Sequence, residues 1–223
     1  NRSALRREML RGLLWGDVPV AQGRHSLRQA LTEIRSALRP YGEHFVETIG
    51  DRVALKSKAL RVDVLALERL LKRDSLRALA LACALAGGDL LDGIALEEGE
   101  FERWLTTARA RVRQLAIEAH ERYVDALVAR TRFAEAIDVA LRLVALDPLH
   151  ERGHRMLMTL YAAQGQPRAA LRQYDICARY LARELGVAPG PETQRARQEF
   201  LSRGSEAAES GRRARPPTSR KKR

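Results

Sequence analysis

Between Tyr123 and Tyr174 the chain repeats itself at a spacing of 34 residues. Tyr123 aligns with Leu157, Leu127 with Tyr161, Ala129 with Ala163, Ala136 with Ala170, Ile137 with Leu171 and Ala140 with Tyr174. A period of that length is one helical hairpin. A lone hairpin cannot bury its apolar stripe, so the copies must stack into a short right-handed solenoid. Ala136 and Ala170 fall where the two helices of a hairpin cross closely, and Asp147-Pro148 falls where one copy hands over to the next. The flanking sequence is Leu- and Ala-rich and predicts helices over 64–72, 75–86 with Ser75 as N-cap, 101–129 and 192–201. The stretch 186–191 ends the last copy, and from Ser202 onward the chain lacks apolar residues and is expected to be disordered. The concave face of a solenoid commonly binds protein, although a helical domain packed only on itself would show the same repeat.

A second helix, over 24–39, has a different character. Leu27, Ala30, Leu31, Ile34 and Leu38 form one apolar stripe. His25, Arg28, Gln29, Thr32, Arg35, Ser36 and Arg39 occupy the opposite face, with no acid among them and Glu33 to one side. Such a face suits the major groove, where Arg pairs with guanine and Gln with adenine, and equally suits a solvated basic surface. Its surroundings favour the groove. A helix over 3–15 precedes it, Gly16-Asp17-Val18-Pro19 stops that helix, and a connection of about seven residues follows. This is a helix-turn-helix order. After Pro40-Tyr41-Gly42, the β-prone runs 44–49 and 52–56 flank Gly50-Asp51, a hairpin signal. A hairpin directly after the reading helix makes a wing, with Arg52 beside the turn able to reach a phosphate or the minor groove.

The charge agrees with a polyanionic partner. The formal net charge is +12, but residues 1–62 hold 12 Lys/Arg against 6 Asp/Glu and the last twelve residues hold 7 basic and no acidic side chains, whereas 63–211 is nearly balanced. A DNA phosphate backbone rewards such ends by counterion release. The tail 212–223 is a polycation that either adds non-specific affinity or serves as a solvated linker. No secretory signal and no membrane-length apolar run occurs, so the expected compartment is the cytoplasm, with no membrane partner. Cys83 and Cys177 have neither metal nor disulfide spacing and are expected to be free thiols.

Catalytic signals are weak. No P-loop, dinucleotide or nucleophile-elbow motif is present. His150-Glu151-Arg152-Gly153-His154 fits the H-E-x-x-H zinc pattern. It opens a repeat helix, though, with Gly153 inside it and no third ligand at a familiar spacing beyond the distant Glu184 and Glu192. His154 is expected to face a neighbouring helix and His150 to be exposed. Asp89, Asp92, Glu97, Glu98, Glu100 and Glu102 cluster without the alternation of a calcium loop and read as a solvated or partner-facing patch. Trp104 and Phe101 beside them are expected in the core; exposed, either becomes a partner anchor. No enzymatic activity, no metal and no cofactor are therefore expected.

The pieces together resemble a known family. LLWGD (13–17), GRHSLRQALTEIRSAL (23–38), GDRVAL (50–55) and VDVLALERLL (62–71) look like the winged-helix half of the Streptomyces antibiotic regulatory protein type. GDLLDGIALEEGEFERWL, ARARVRQLAIEAHERY and the run from ALDPLHERGH to GVAPGPET resemble the bacterial transcriptional activator domain that follows it. The resemblance implies a mainly α fold: a winged helix-turn-helix with a β-hairpin wing over 1–62, an α-helical tetratricopeptide-like domain over 63–203, and a basic tail or linker over 204–223. A truncated winged helix is the expectation, since too few residues precede Arg7 for the family's N-terminal sheet and first packing helix; the chain, which begins at Asn1 without Met, is expected to be a piece of a longer protein. The resemblance further implies a DNA-binding transcriptional regulator whose reading helix is 24–38 and whose wing is 44–56. Arg28, Gln29, Thr32 and Arg35 would face base edges, and Arg24, His25, Arg39 and Arg52 would face phosphates. Double-stranded DNA is the implied partner, with RNA polymerase, another regulatory protein or a second copy met through the helical domain. Similar modules also stand at the front of cyclase- or ATPase-fused signalling proteins, where the role would be protein interaction with weak or no specific DNA binding.

Overall fold

The computed structural model describes residues 4–42, 45–56, 60–94, 96 and 99–213, with side chains described through Ser202. Thirteen elements follow in order among the described residues: strand β1 (Leu5–Arg6), α1 (Arg7–Leu14), α2 (Val20–Leu38), a 3-10 turn (Arg39–Tyr41), β2 (Val46–Ile49), β3 (Arg52–Leu55), α3 (Asp63–Leu70), α4 (Leu76–Leu85), α5 (Gly99–Val128), α6 (Phe133–Leu146), α7 (Glu151–Ala163), α8 (Pro167–Leu185) and α9 (Pro191–Arg213). They form two compact units, Asn1–Asp74 with Leu81–Ala116, and Ser75–Ala80 with Ile117–Arg223.

In the first unit β1, β3 and β2 make a three-stranded antiparallel sheet in that order. Gly50 takes φ +58° at the first turn position between β2 and β3, a backbone conformation that two-residue hairpin turns demand and that Gly adopts without penalty. The core here is Leu27 and Leu31 of α2 with Val46 and Val53 of the hairpin, bordered by Leu10, Trp15, Leu38 and Phe45. Three sequence expectations change. Leu5–Arg6 is a strand, not part of the first helix, because it pairs with β3, Leu5 opposite Val53 and Arg6 opposite Arg52. Even a short leader therefore supplies a strand to this sheet. The helix expected from residue 24 begins at Val20, behind Pro19, which shortens the connection. Gly23, inside this helix, is a point of close approach: a Cβ there would lie 3.0 Å from Arg11 Cγ and 3.4 Å from Trp15 Cβ. And Ile34, counted in the buried stripe, is 45% exposed.

In the second unit the 34-residue repeat is reproduced to the turn. α6 begins at Phe133 and α8 at Pro167. Ala136 and Ala170 are fully buried, as close helix crossings require. Arg132 N donates to Leu127 O at 3.0 Å, and its counterpart Gln166 N donates to Tyr161 O at 2.9 Å. The residue before each is left-handed: Thr131 at φ +56° and Gly165 at φ +71°. Gly tolerates that backbone, whereas a β-branched side chain pays for it. Thr131→Gly is accordingly expected to stabilise the unit by about 1 kcal/mol, read as a higher urea midpoint.

The helix over 75–86 is α4, and Ser75 caps it as expected, accepting from Ala78 N at 3.2 Å. The α8 helix closes on Gly186 in the left-handed region, with Gly186 N bonded to Ala182 O and Val187 N to Leu181 O. Beyond it, α9 continues past the expected stop at Leu201 to Arg213. Residues 202–213 (SRGSEAAESGRR) meet no proline before Pro216, so the helix continues through Gly204 and Gly211 despite their low helix propensity. The rest of the basic tail, 214–223, lies outside the described residues.

Candidate nucleic-acid interface

Packing of Gly23, Leu27 and Leu31 inward turns the opposite side of α2 to solvent. Arg24, His25, Arg28, Gln29, Thr32, Arg35 and Arg39 are all exposed. Their engagements differ. The side chains of His25, Arg28 and Arg39 make no hydrogen bond or ion pair with a described residue. Arg24 lies 3.6 Å from Glu8 of α1. Glu8 is held below the usual carboxylate range chiefly by its hydrogen bond from Arg11, with Arg24 adding to it. Gln29 donates to Glu33 at 3.0 Å, and the Thr32 hydroxyl donates to the Arg28 carbonyl at 2.9 Å. These are helix-surface bonds that a base edge can replace at little cost, since each exchanges one hydrogen bond for another.

Arg35, expected beside them, is directed elsewhere. Its Nε donates to Val46 O at 3.3 Å and its Nη2 to Thr48 Oγ1 at 2.6 Å. It fastens α2 to β2, and so sets where the wing stands relative to the reading face. On the wing itself Arg52 is exposed, with Nη1 at 3.5 Å from Ala4 O, and Lys56 pairs with Glu47 at 2.6 Å. His44, the expected first residue of the wing, lies outside the described residues. Sequence reasoning missed Arg6, which the pairing register places directly opposite Arg52. The only available signal was an apolar residue next to it, and two residues carry no periodicity.

The H-E-x-x-H run has other work. His150 Nδ1 accepts from Gly153 N at 3.1 Å and caps α7, while its Nε2 lies 3.3 Å from Glu121. That leaves His150 half-buried and not exposed as expected. Glu151 turns to Gly190 and Thr193 at the start of α9. His154 is buried, as expected, with Nε2 donating to Pro148 O at 3.0 Å and Nδ1 accepting from Gln173 at 2.6 Å. Both nitrogens of His154 are used, so a metal would have to break the buried network. A Cβ on Gly153 would lie 3.1 Å from Val144 and 3.2 Å from Leu143, so its Gly marks close packing of α6 on α7. Among the described residues no group of three or more His, Cys, Asp or Glu is arranged for a metal.

The remaining candidates sort similarly. Neither Cys83 nor Cys177 is in a disulfide, and burial pushes the Cys177 thiol up to about 11, far from a reactive thiolate. Phe101 is core, but Trp104, tilted against it at 5.5 Å between ring centres, is 43% exposed, contrary to expectation. Of the nearby acids, Glu100 pairs with Arg103 and Asp89 with Arg113, while Glu102 accepts from Leu96 N. Glu97 and Glu98 lie outside the described residues. No described helix is long and apolar enough to cross a membrane.

Comparison with known proteins agrees with this arrangement. The Regulatory protein AfsR of Streptomyces coelicolor is 27% identical over 205 residues, covering 88% of this chain, and that of Streptomyces griseus is 26% identical over 200 residues, covering 87%. The chain spans only 20% of the length of each. The solved structure of Mycobacterium tuberculosis EmbR in complex with a low affinity phosphopeptide superposes with a TM-score of 0.67 at 18% identity, over 91% of this chain and 56% of that one, a likeness of fold. The sequence pattern of the bacterial transcriptional activator domain matches residues 62–201, more than half of the 223 residues. By that match and by the repeat geometry that underlies it, the chain belongs to the bacterial transcriptional activator domain family.

Proposed function

We propose that this chain is a bacterial, sequence-specific DNA-binding transcriptional regulator that works by binding and not by catalysis. The observation that carries the reading is the exposed face of α2, an acid-poor row of Arg24, His25, Arg28, Gln29, Thr32 and Arg39, held at a fixed offset from a β-hairpin by Arg35. Family membership supports it, as does the regulatory name of the streptomycete relatives. In this reading α2 lies in the major groove, with Arg28, Gln29 and Thr32 on base edges and Arg24, His25, Arg39 and Arg52 on phosphates. Arg35 reads a base only by leaving Val46 and Thr48, so its first role is to position the wing. The helical unit would carry dimerisation or contacts with RNA polymerase or another regulatory protein.

The test is selection of duplexes from a genomic library at two salt concentrations, followed by variants on the enriched site. Arg28→Ala is expected to lose about 1–3 kcal/mol of discrimination at one base position, while Arg39→Ala weakens all sequences alike and lowers the salt slope by about 1. Equal losses on every sequence for both variants would contradict base reading by α2, and an enriched site missing altogether would overturn the proposal.

A further inference from the structure

Across the sheet, Arg6 of β1 stands directly opposite Arg52 of β3, and Ile49 of β2 stands directly opposite Arg52 on its other side. Directly paired residues of antiparallel strands project from the same face, with Cβ atoms about 4.5–5.5 Å apart. The result is a row of two exposed guanidinium groups and one exposed isoleucine, 63% accessible, beside the hairpin turn. Like charges in this position oppose pairing of the strands. Neither arginine has an ion pair with a described residue. Of the carboxylates close in sequence, Glu47 is engaged by Lys56 and Glu8 by Arg11 and Arg24, while Asp51 at the turn makes no ion pair with either arginine among the described residues. Arg7 N donates to Asp51 O at 2.7 Å, which locks β1 against the turn and holds the two cations together.

A local arrangement that costs stability and is nevertheless built rigidly points to a ligand that reverses the cost. We propose that Arg6 and Arg52 clamp a single backbone phosphate of duplex DNA, with Ile49 against the adjoining deoxyribose. The proposal rests on the DNA-binding reading of α2. DNA is the polyanion it favours because the sheet that carries the row is fastened to α2 through Arg35, so the row and the reading face move as one body. Two guanidinium groups supply the parallel donors that phosphate oxygens accept, and an apolar neighbour suits the sugar between phosphates.

The experiment is a salt titration of binding to the enriched duplex for the unaltered chain, Arg6→Ala, Arg52→Ala and the double variant. With one shared phosphate, the slope of log K against log salt falls by about 0.9 in the double variant and by less in either single one. The Arg6→Ala chain should also melt at a higher temperature without DNA, since it loses a like-charge neighbour. That gain would show that weaker binding does not come from a damaged sheet. A fall of about 1.8 in the double variant would mean two separate phosphates, and no fall would mean no contact; either overturns the clamp. Arg28→Ala on the same duplex separates the two readings. If it relaxes specificity while the double variant keeps its slope, the clamp is wrong and DNA reading by α2 stands. If the unaltered chain enriches no duplex, both fall.

Discussion

Glu151→Ala is expected to release the start of α9 from the helical unit and to cost about 3 kcal/mol. The Glu151 carboxylate accepts from Gly190 N at 3.1 and 2.9 Å through its two oxygens, and from Thr193 Oγ1 at 2.5 Å. Those donors belong to the first turn of α9, where helix N–H groups have no partner inside the helix and the helix dipole favours an anion. Thr193 is fully buried, and its oxygen also accepts from Arg155 at 3.1 Å, while Arg155 pairs with Glu192 at 2.7 Å. Hydrogen bonds to a charged group contribute about 1.5–3 kcal/mol each and do not add fully, and removing the acceptor leaves Thr193 buried with one partner fewer. For a chain of this size 3 kcal/mol corresponds to roughly 6–12 °C in melting temperature. Hydrogen exchange should locate the loss, with faster exchange in the first turns of α9 while α6 stays protected. Glu151→Gln, which keeps the shape and one good acceptor, should lose less. A variant as stable as the original would show that α9 is held by Phe200 and its apolar neighbours alone.

The second large effect is expected at His154, and it depends on pH. Burial lowers the His154 pKa below its ordinary 6.5, with the hydrogen bond to Pro148 O working in the other direction. The native ring is therefore neutral, and its Nε2–H tautomer satisfies both Pro148 and Gln173. Because the folded pKa lies below the unfolded one, the unfolded chain takes up a proton first as the solution is acidified. The stability this histidine contributes is complete above pH 6.5 and is lost as pH falls toward the folded pKa. One proton limits the slope to about 1.4 kcal/mol per pH unit. Urea unfolding at pH 7.5 and 5 should show the drop. His154→Leu should be weaker by about 3 kcal/mol at pH 7.5, from an orphaned Gln173 and an orphaned Pro148 carbonyl, and should lack this part of the drop. An unchanged pH difference in that variant would assign the effect to other groups.

What the sequence discloses here follows from how local each signal is. The helical repeat was legible because Ala136 and Ala170 answer to the same crossing in successive copies, and even the left-handed turn at Thr131 and Gly165 obeys the period. Ser75 and the Gly50-Asp51 turn were legible because cap and turn chemistry act within a few residues. The exposed face of α2 was legible from periodicity, although its buried edge was not fully so, since Ile34 sits toward the end of the helix, outside the core made by Leu27 and Leu31. The departures are all tertiary. The helix starts four residues earlier than expected, and Gly23 within it is packed against Arg11 and Trp15. Arg35 bonds Val46 and Thr48 of β2, contacts that no local pattern announces. His150, Glu151 and His154 share the spacing of a zinc motif, and each reaches a different structural partner, Gly153, Gly190 and Gln173.

The order of the strands carries a consequence for how this unit comes into being. β1 precedes β3 by both helices and β2, and among the described residues its strand partner is β3, with Leu5 opposite Val53. During synthesis this pairing must therefore wait until both helices and the hairpin that follow β1 have emerged. Closing a contact across so much chain is paid for in loop entropy before it is rewarded. The basic pair at Arg6 and Arg52 is completed by that same late closure. A nascent chain shows its cationic α2 before it has a finished wing, and only the closed sheet can grip DNA with both.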